Sequence, residues 1–530
     1  MDIVGYKSAG HDGTICCIRN NQLVFSLEAE KDSNVRRGLF PHEQFEHVMR
    51  RSQTRPELIC GDSLQFGGRD LTGSYEGISK KDIVFSKAQV DGRTVDYACV
   101  PHELSHIACA YALSDLPKGE AFYALVWEGY IGRFYYVDED FRVERLGTQH
   151  VMDYVGVRYS FPYHATGRGD FLGFDAAGKI MALAGLGSAA SADEGAARAL
   201  AQKLMSARIT HNDSRVALDG DWSTLYDSFE YLKGQEVDSP AFVAICRALQ
   251  DAVFERFHAF AERHVQGRRP LLISGGCGLN CEWNTLWRNS ELFSSVFVPP
   301  VASDCGIAIG AAAAVQQLHT GSAKLGWNVY AGEEFVEDET DLALHGFIRR
   351  PLDLGALCNG IVEREWVVAW VQGRYELGPR ALCHRSLLAA PFSEKTRDRL
   401  NQIKRREPFR PIAPVCLEEN VSDYFEWTGA SPFMLYFQNV RAKELGAVTH
   451  ADGTARAQTL NASQDRATHA LLQTMRQKTG FGVLCNTSLN HLGRGFINHM
   501  SDLVGYVNHT RVDAMVVNDL MYVRQSDASL

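Results

Sequence analysis

The sequence predicts an α/β fold in two domains, the second of α+β character, joined by an acidic linker. Three observations point there. The chain opens as strand, Gly/Asp turn, strand, Asn turn, strand. From there to residue 317, buried strands that end in Gly or acidic turns alternate with apolar-periodic helices. Over 321–351 that periodicity is lost and acids gather (Glu333, Glu334, Glu337, Asp338, Glu339). The expected domains are residues 1–325 and 351–530, with the linker at 326–350.

The opening strands fall at 3–6, 14–18 and 23–27, around the turns 9–13 and Asn20-Asn21, a hairpin pattern. Helices are expected at 41–52, 103–114, 194–206 and 240–266. In the last, Phe242, Ile245, Leu249, Val253 and Phe257 recur three or four apart and so share one face. A strand at 123–127 ends at Glu128-Gly129. Another at 270–274 ends in a Gly turn, and a helix begins within 282–287. A short strand at 296–298 leads to Asp304 and an Ala-rich helix at 306–317. In the second domain, strands are expected at 366–371 and 481–484, the latter running into Asn486-Thr487-Ser488. No internal repeat or low-complexity tract is legible.

Composition narrows the class. Hydrophobic residues make up 45% and charged ones 22% of 530, as in soluble globular proteins. Thirteen cysteines, scattered and never in a CxxC pair, read as reduced thiols and not as a zinc ribbon or disulfide scaffold. The N-terminus lacks the marks of a signal peptide, and no apolar run approaches the ~20 residues that span a bilayer. The expectation is a cytoplasmic enzyme with no membrane partner. A net charge of −10 argues against nucleic acid as a partner.

Against that acidic background one segment is basic. Between Arg374 and Arg410 lie ten basic and four acidic residues, within GRYELGPRALCHRS and KRREPFRPIAP. Several arginines adjoin Gly and Pro and are flanked by apolar runs, which suggests a folded pocket for a phosphorylated small molecule. Guanidinium forks match phosphate oxygens in pairs.

Other motifs leave two readings open. His102 and His106, four apart, share a helical face and suit one metal ion or a pair of core histidines. Glu128 and Asp304 stand at strand ends, where open α/β sheets place ligand groups. The loop from Ser274 through Gly275 and Gly276 to Asn280 either offers backbone N–H groups to an anion or is a tight turn. Residues 178–185 read as a helix with a buried small face. Asn486, Thr487, Ser488 and Asn490 suit orienting a phosphate or carbamoyl group, or form an ordinary polar turn.

In this order the motifs resemble the ATP-dependent O-carbamoyltransferases of natural-product biosynthesis. The pieces are GHDG with LEAEKDS, HELSH, GKIMALAGLG, SGGCGLNCEWN, SDCGIAIGAA, GRYELGPRAL, KRREPFRPIAP and CNTSLN. The start is most similar to the cephem-type branch. The resemblance implies an N-terminal actin-like (ASKHA) domain similar to threonylcarbamoyl transferases, and a C-terminal YrdC-like domain. It implies that carbamoyl phosphate and Mg-bound ATP are converted to carbamoyl-AMP, from which the carbamoyl group passes to a hydroxyl of a small-molecule natural product.

By the same resemblance, His102, His106, Glu128 and Asp304 would hold a divalent metal, iron(II) if the tobramycin-type branch is followed. His11 and Asp12 would lie by the reacting hydroxyl. Gly13, Gly275, Gly276 and Asn280 would hold the nucleotide. Arg374, Arg380, Arg385, Lys404, Arg406 and Arg410 would neutralise phosphates, and Asn486, Thr487, Ser488 and Asn490 would orient the carbamoyl end. Three departures stand out: Glu128 where Asp is common, Cys383-His384 where Gly-Asn is frequent, and His491-Leu492-Gly493-Arg494-Gly495 after Asn490. Competing readings are a tRNA threonylcarbamoylation enzyme, opposed by the charge and the fused C-terminal domain, and a non-catalytic actin-like nucleotide-binding protein.

Overall fold

A computed structural model describes residues 1–8, 10–33, 35–62, 83–147, 151–168, 174–187, 194–207, 210–212, 215–217, 221–339 and 345–525. The first sheet is built from β1 (Asp2–Lys7), β2 (Thr14–Arg19), β3 (Gln22–Glu28), β4 (Leu58–Asp62), β5 (Val84–Val90) and β6 (Arg93–Val100), in the order β3-β2-β1-β4-β6-β5. The second comprises β7 (Phe122–Trp127), β8 (Gly132–Val137), β9 (Val143–Arg145), β10 (Leu271–Ser274) and β11 (Val296–Phe297), in the order β11-β10-β7-β8-β9.

The two sheets repeat one topology. Each starts with an antiparallel three-strand meander, β1-β2-β3 or β7-β8-β9. Two parallel strands then join the first strand of the meander, β4 and β6 or β10 and β11. The repeat lies in the strand order and is not legible in the sequence. Strand pairing depends on pattern and length more than on residue identity. The second half also carries long helical excursions between β9 and β10, among them α1 (Val155–Ala165), α2 (Phe174–Ala184) and α3 (Pro240–His264).

Each half closes with a helix after its last parallel strand. One is α4 (Ile307–Thr320); the other spans His102–Leu113 and is called the His helix. The two helices pack at backbone distance. A Cβ on Gly310 would lie 1.8 Å from the carbonyl oxygen of Ser105, and one on Gly306 would lie 2.8 Å from Cys109 Sγ. Every residue of the His helix is buried. The polar groups of HELSH therefore need partners inside the protein.

The third sheet holds eight strands: β12 (Phe347–Pro351), β13 (Val368–Val371), β14 (Arg385–Ala389), β15 (Ala413–Leu417), β16 (Gln458–Leu460), β17 (Val483–Ser488), β18 (Ala514–Val517) and β19 (Leu520–Arg524). Their order is β12-β19-β18-β13-β14-β17-β15-β16. Val368 and Trp370 pack with Leu357, Leu471 and Met475 on one face, and Ala369 and Val371 with Leu400 and Leu503 on the other. A sheet covered on both faces explains the unbroken apolar run around 366–371. Asn486, Thr487 and Ser488 do not form a turn beyond the strand. They lie in β17, paired with Leu388, Leu387 and Ser386.

The acidic segment is tied down at several points. The N–H of Leu23 donates to the Gly326 carbonyl and that of Ser26 to the Ala331 carbonyl, both at 2.9 Å, while Val336 bridges to His499. Among the described residues, no helix is long and apolar enough to cross a membrane.

Candidate active site

The His helix brings His102 and His106 to the ends of β7 and β10. Their rings stand 4.8 Å apart and nearly perpendicular. Glu128, just past β7, lies 3.1 Å from His106 Nε2 and 3.4 Å from His102 Nε2. Asp304, after β11, places Oδ1 3.8 Å from His102 Nε2 and 3.6 Å from His106 Nε2. One ligand atom from each of the four lies within 4.8 Å of the others, and all four residues are buried.

The other ring nitrogens are fixed from behind. His102 Nδ1 is 2.9 Å from Asp62 Oδ2, and His106 Nδ1 is 3.0 Å from Ser274 Oγ. Such outer bonds hold imidazoles in a ligating orientation. Burial opposes charging His102, yet Glu128, Asp304 and the Asp62 bond hold its pKa well above the ordinary imidazole range. Burial likewise would raise Asp304, but His102, His106 and Lys7 pull it well below the usual carboxylate range. Two buried carboxylates facing two imidazoles require positive charge between them, from ring protons or from a cation in their place. The donor set of two nitrogens and two carboxylates fits a divalent ion.

Lys7, fully buried at the end of β1, stands 3.3 Å from Asp304 Oδ2 and donates to the His11 carbonyl at 2.8 Å. His11 Nε2 is 4.0 Å from the same carboxylate oxygen, and His11 Nδ1 is 3.3 Å from Asp12 Oδ2. The GHDG turn therefore flanks the cluster of His102, His106, Glu128 and Asp304. Gly13 serves packing: a Cβ there would lie 2.7 Å from Leu39 Cα.

The basic segment forms a second cluster. Lys404 Nζ donates to the Ser488 carbonyl at 2.6 Å and the Asn490 carbonyl at 3.0 Å, and also to Asn490 Oδ1. Arg406 donates to Asn401 Oδ1 at 2.8 Å and Thr487 Oγ1 at 3.3 Å. Burial, with Arg456 and Arg410 nearby, lowers Arg380 to about 9. Burial, Arg410 and Arg456 bring Arg406 to about 9 as well. Burial and Arg406 hold Lys404 well below the lysine range. The buried Nε atoms of Arg380 and Arg456 have no hydrogen-bond partner among the described residues. Like charges gathered out of water are unfavourable unless an anion lies among them.

Both clusters line one cavity of about 2490 Å³, whose wall includes His11, Asp12, Gly13, His102, Glu128, Asp304, Gly276, Asn280, Arg380, Lys404, Arg406, Arg410 and the Asn486–Asn490 groups. Three expected residues point elsewhere. Arg374 donates to the carbonyls of Gly332 (2.7 Å), Val24 (3.0 Å) and Ala331 (2.8 Å), fastening the acidic segment to β3. Arg385, fully buried, donates to the carbonyls of Gln372 (2.7 Å) and Gly373 (2.8 Å) and to Asn498 Oδ1. Gly275, at φ 98°, lets two strand ends meet; a Cβ there would lie 2.4 Å from the Trp127 carbonyl oxygen. Asn280 caps the helix Cys281–Asn289 through the Trp283 N–H and bonds Gln250, while still lining the cavity. Asn486 Nδ2 donates to the Ala381 carbonyl at 3.1 Å and to Gln458 at 3.0 Å.

Sequence reasoning missed Lys7, Asp62 and Arg456. Asp62 ends a strand, as do Glu128 and Asp304, so the strand-end rule applied evenly would have found it. Lys7 also closes a strand, an ionisable group after an apolar run. Arg456 sits alone between alanines, with no local motif to mark it.

Comparison with known proteins identifies the family. The family description "Carbamoyltransferase N-terminus" matches residues 42–313, and "Carbamoyltransferase C-terminus" matches 360–524. The chain is 41% identical to a 3'-hydroxymethylcephem-O-carbamoyltransferase of Amycolatopsis lactamdurans and 40% identical to one of Streptomyces clavuligerus, each over 99% of both chains. It is 32% identical to nodulation protein U of Rhizobium tropici, over 100% of this chain and 97% of that one. Among solved structures, ROK hexokinase from Thermus thermophilus aligns at 14% identity and TM-score 0.29, over 59% of this chain and 98% of that one, a likeness too distant to bear on the site. The matched segments contain His102, His106, Glu128 and Asp304 and the cationic cluster alike, and the chain belongs to the carbamoyltransferase family.

Proposed function

We propose that the protein is an ATP- and carbamoyl-phosphate-dependent O-carbamoyltransferase whose acceptor is the hydroxymethyl group of a cephem or a related natural-product alcohol. The observation that carries this reading is the single cavity lined by both clusters. The acceptor is suggested by the two cephem carbamoyltransferases, similar along nearly the whole chain.

At the cationic cluster, Arg380, Lys404, Arg406, Arg410 and Arg456 bind the phosphates of Mg-bound ATP and carbamoyl phosphate. Water cleaves carbamoyl phosphate to carbamate and phosphate. The carbamate oxygen then attacks the α-phosphorus of ATP, pyrophosphate leaves, and carbamoyl-AMP remains. At the other group, the acceptor hydroxyl attacks the carbamoyl carbonyl, the C–O bond to AMP breaks, and the proton goes to His11 or Asp12. His102, His106, Glu128 and Asp304 would hold a divalent ion, which supplies positive charge beside the departing phosphate. Iron(II), zinc and manganese all suit this donor set.

The repeated strand order of the first two sheets supports an actin-type architecture for residues 1–325, with 326–350 as connection. Residues 351–530 are read as a YrdC-like adenylate-forming domain because the cationic cluster is built on their sheet.

The test is to incubate the metal-loaded protein with ATP, Mg²⁺ and carbamoyl phosphate, with and without a 3'-hydroxymethylcephem. Carbamoyl-phosphate-dependent formation of pyrophosphate and carbamoyl-AMP, with AMP and a carbamoylated cephem when the alcohol is present, is expected. ATP binding without any such adenylate under every metal supplement would sink the reading and favour a nucleotide-binding protein.

A further inference from the structure

The cavity wall beside Glu128 differs in character from the arginine side. Glu128 opens the turn 128–131, in which its N–H donates to the Ile131 carbonyl at 2.8 Å. This turn is locked to the start of α1. The N–H of Tyr154 donates to the Tyr130 carbonyl at 3.0 Å, and that of Gly156 to the Glu128 carbonyl at 3.3 Å. A Cβ on Gly156 would lie only 2.9 Å from Gly129 Cα.

On this brace stand two tyrosines, Tyr130 and Tyr154, edge to face with centroids 5.5 Å apart. Both line the cavity, as do Ile131 beside Tyr130 in the turn and Val157 in the first turn of α1. Tyr130 is 41% exposed, unusual for so large a ring in a cavity wall. Tyr154 sits at φ 57°, ψ 41°, in the left-handed region. A bulky residue is disfavoured there, whereas glycine adopts it freely. Cations on the same wall are already matched: Lys179 pairs with Glu407 at 2.7 Å, and Arg133 pairs with Glu103. The surface beside Glu128 is therefore aromatic and aliphatic.

We propose that Tyr130 and Tyr154 form a clamp that seats the apolar ring face of the acceptor alcohol and aims its hydroxyl toward the groups around Glu128. This rests on the carbamoyltransferase reading and adds the residues that would select a rigid, ring-bearing alcohol over a polycationic amino sugar. The ring face of such an alcohol buries apolar area against tyrosine.

The experiment uses metal-loaded Tyr130→Ala, Tyr130→Phe, Tyr154→Ala and Tyr154→Gly with 3'-hydroxymethylcephem as the probe. Carbamoyl-phosphate-dependent pyrophosphate release without acceptor is the control, expected within twofold of the parent in every variant. The acceptor KM should rise at least tenfold in Tyr130→Ala, Tyr154→Ala and Tyr154→Gly, with kcat within threefold, and Tyr130→Phe should restore it. The Tm of Tyr154→Gly should not fall below the parent's, because glycine takes up φ 57° unstrained. An acceptor KM within twofold of the parent in the truncated variants, or a loss confined to kcat, overturns the clamp. So does an aminoglycoside that competes as strongly as the cephem. If the parent itself releases no pyrophosphate, the functional reading fails, and the clamp is judged by equilibrium binding of the cephem alcohol. Tenfold weaker binding in the truncated variants supports it; equal or absent binding overturns it.

Discussion

The N–H of Gly378 donates to Glu28 Oε1 at 2.7 Å, joining residues 350 positions apart. Lys31 completes the clasp. Its Nζ donates to Glu28 Oε1 at 3.0 Å and to the carbonyls of Glu376 and Gly378 at 2.6 and 2.7 Å, all buried. The loop so held is the one that carries Arg380. Lys31→Met would leave the Glu28 carboxylate buried without its counter-charge and should destabilise the protein by about 3–5 kcal/mol. Urea denaturation reads this directly. The double variant Lys31→Met/Glu28→Gln should recover much of the loss, and no recovery would show that the charge pairing is not the cause.

Arg456 gives the cationic cluster a second test. Pyrophosphate should raise the Tm of the parent, because an anion offsets repulsion among Arg380, Arg406, Arg410 and Arg456. In Arg456→Ala the ligand-free protein should be as stable as the parent or more so, while the pyrophosphate shift should shrink by half or more. An undiminished shift in differential scanning fluorimetry would remove Arg456 from the anion site.

Lys404 should make anion binding sensitive to alkali. Burial and Arg406 hold its pKa in the folded protein well below that of an ordinary lysine. The charged form favours the anion, so affinity is full below that depressed pKa and falls as pH rises through it. The decline should thus begin at a lower pH than for an exposed lysine. Lys404→Arg should move it upward, since guanidinium keeps its proton. Isothermal titration of pyrophosphate across pH checks this; a flat profile in the parent contradicts it.

Behind the ion-binding groups, Asp62 holds His102 Nδ1. Asp62→Asn should weaken divalent-metal binding about 10–100-fold. His106→Ala should abolish carbamoyl transfer while sparing carbamoyl-phosphate-dependent pyrophosphate release, the mark of adenylate formation. Metal titration with a competing indicator, beside separate assays of the two reactions, tests this. Loss of pyrophosphate release in His106→Ala would merge the two clusters into one site.

Much of this was legible along the chain. Apolar periodicity placed the helices His42–Arg51, Glu194–Ser206 and Pro240–His264 within about two residues of where they stand. The spacing of His102 and His106, with carboxylates at two strand ends, named the four groups that converge. What stayed hidden depended on distant backbone. Arg374 and Arg385 sit amid the basic motif, yet the free carbonyls they satisfy arise only when residues 331–333 and 372–373 are laid beside them. A run of arginines gives charge without direction, so nothing local separates those facing the cavity from those fastening the loop. Arg456 shows the converse, a lone residue made important by neighbours about 46 to 76 positions earlier. The repeat between the first two sheets survives in strand order alone, below the reach of residue identity.

That repeat has a consequence for the ion. His102 and His106 come from the helix that closes the first half, and Asp304 from the start of the helix that closes the second. Glu128 follows the first strand of one half, while Lys7 closes that of the other and His11 lies just beyond it. Neither half alone carries all four groups, so a divalent ion held by them would bridge the halves and tie one to the other.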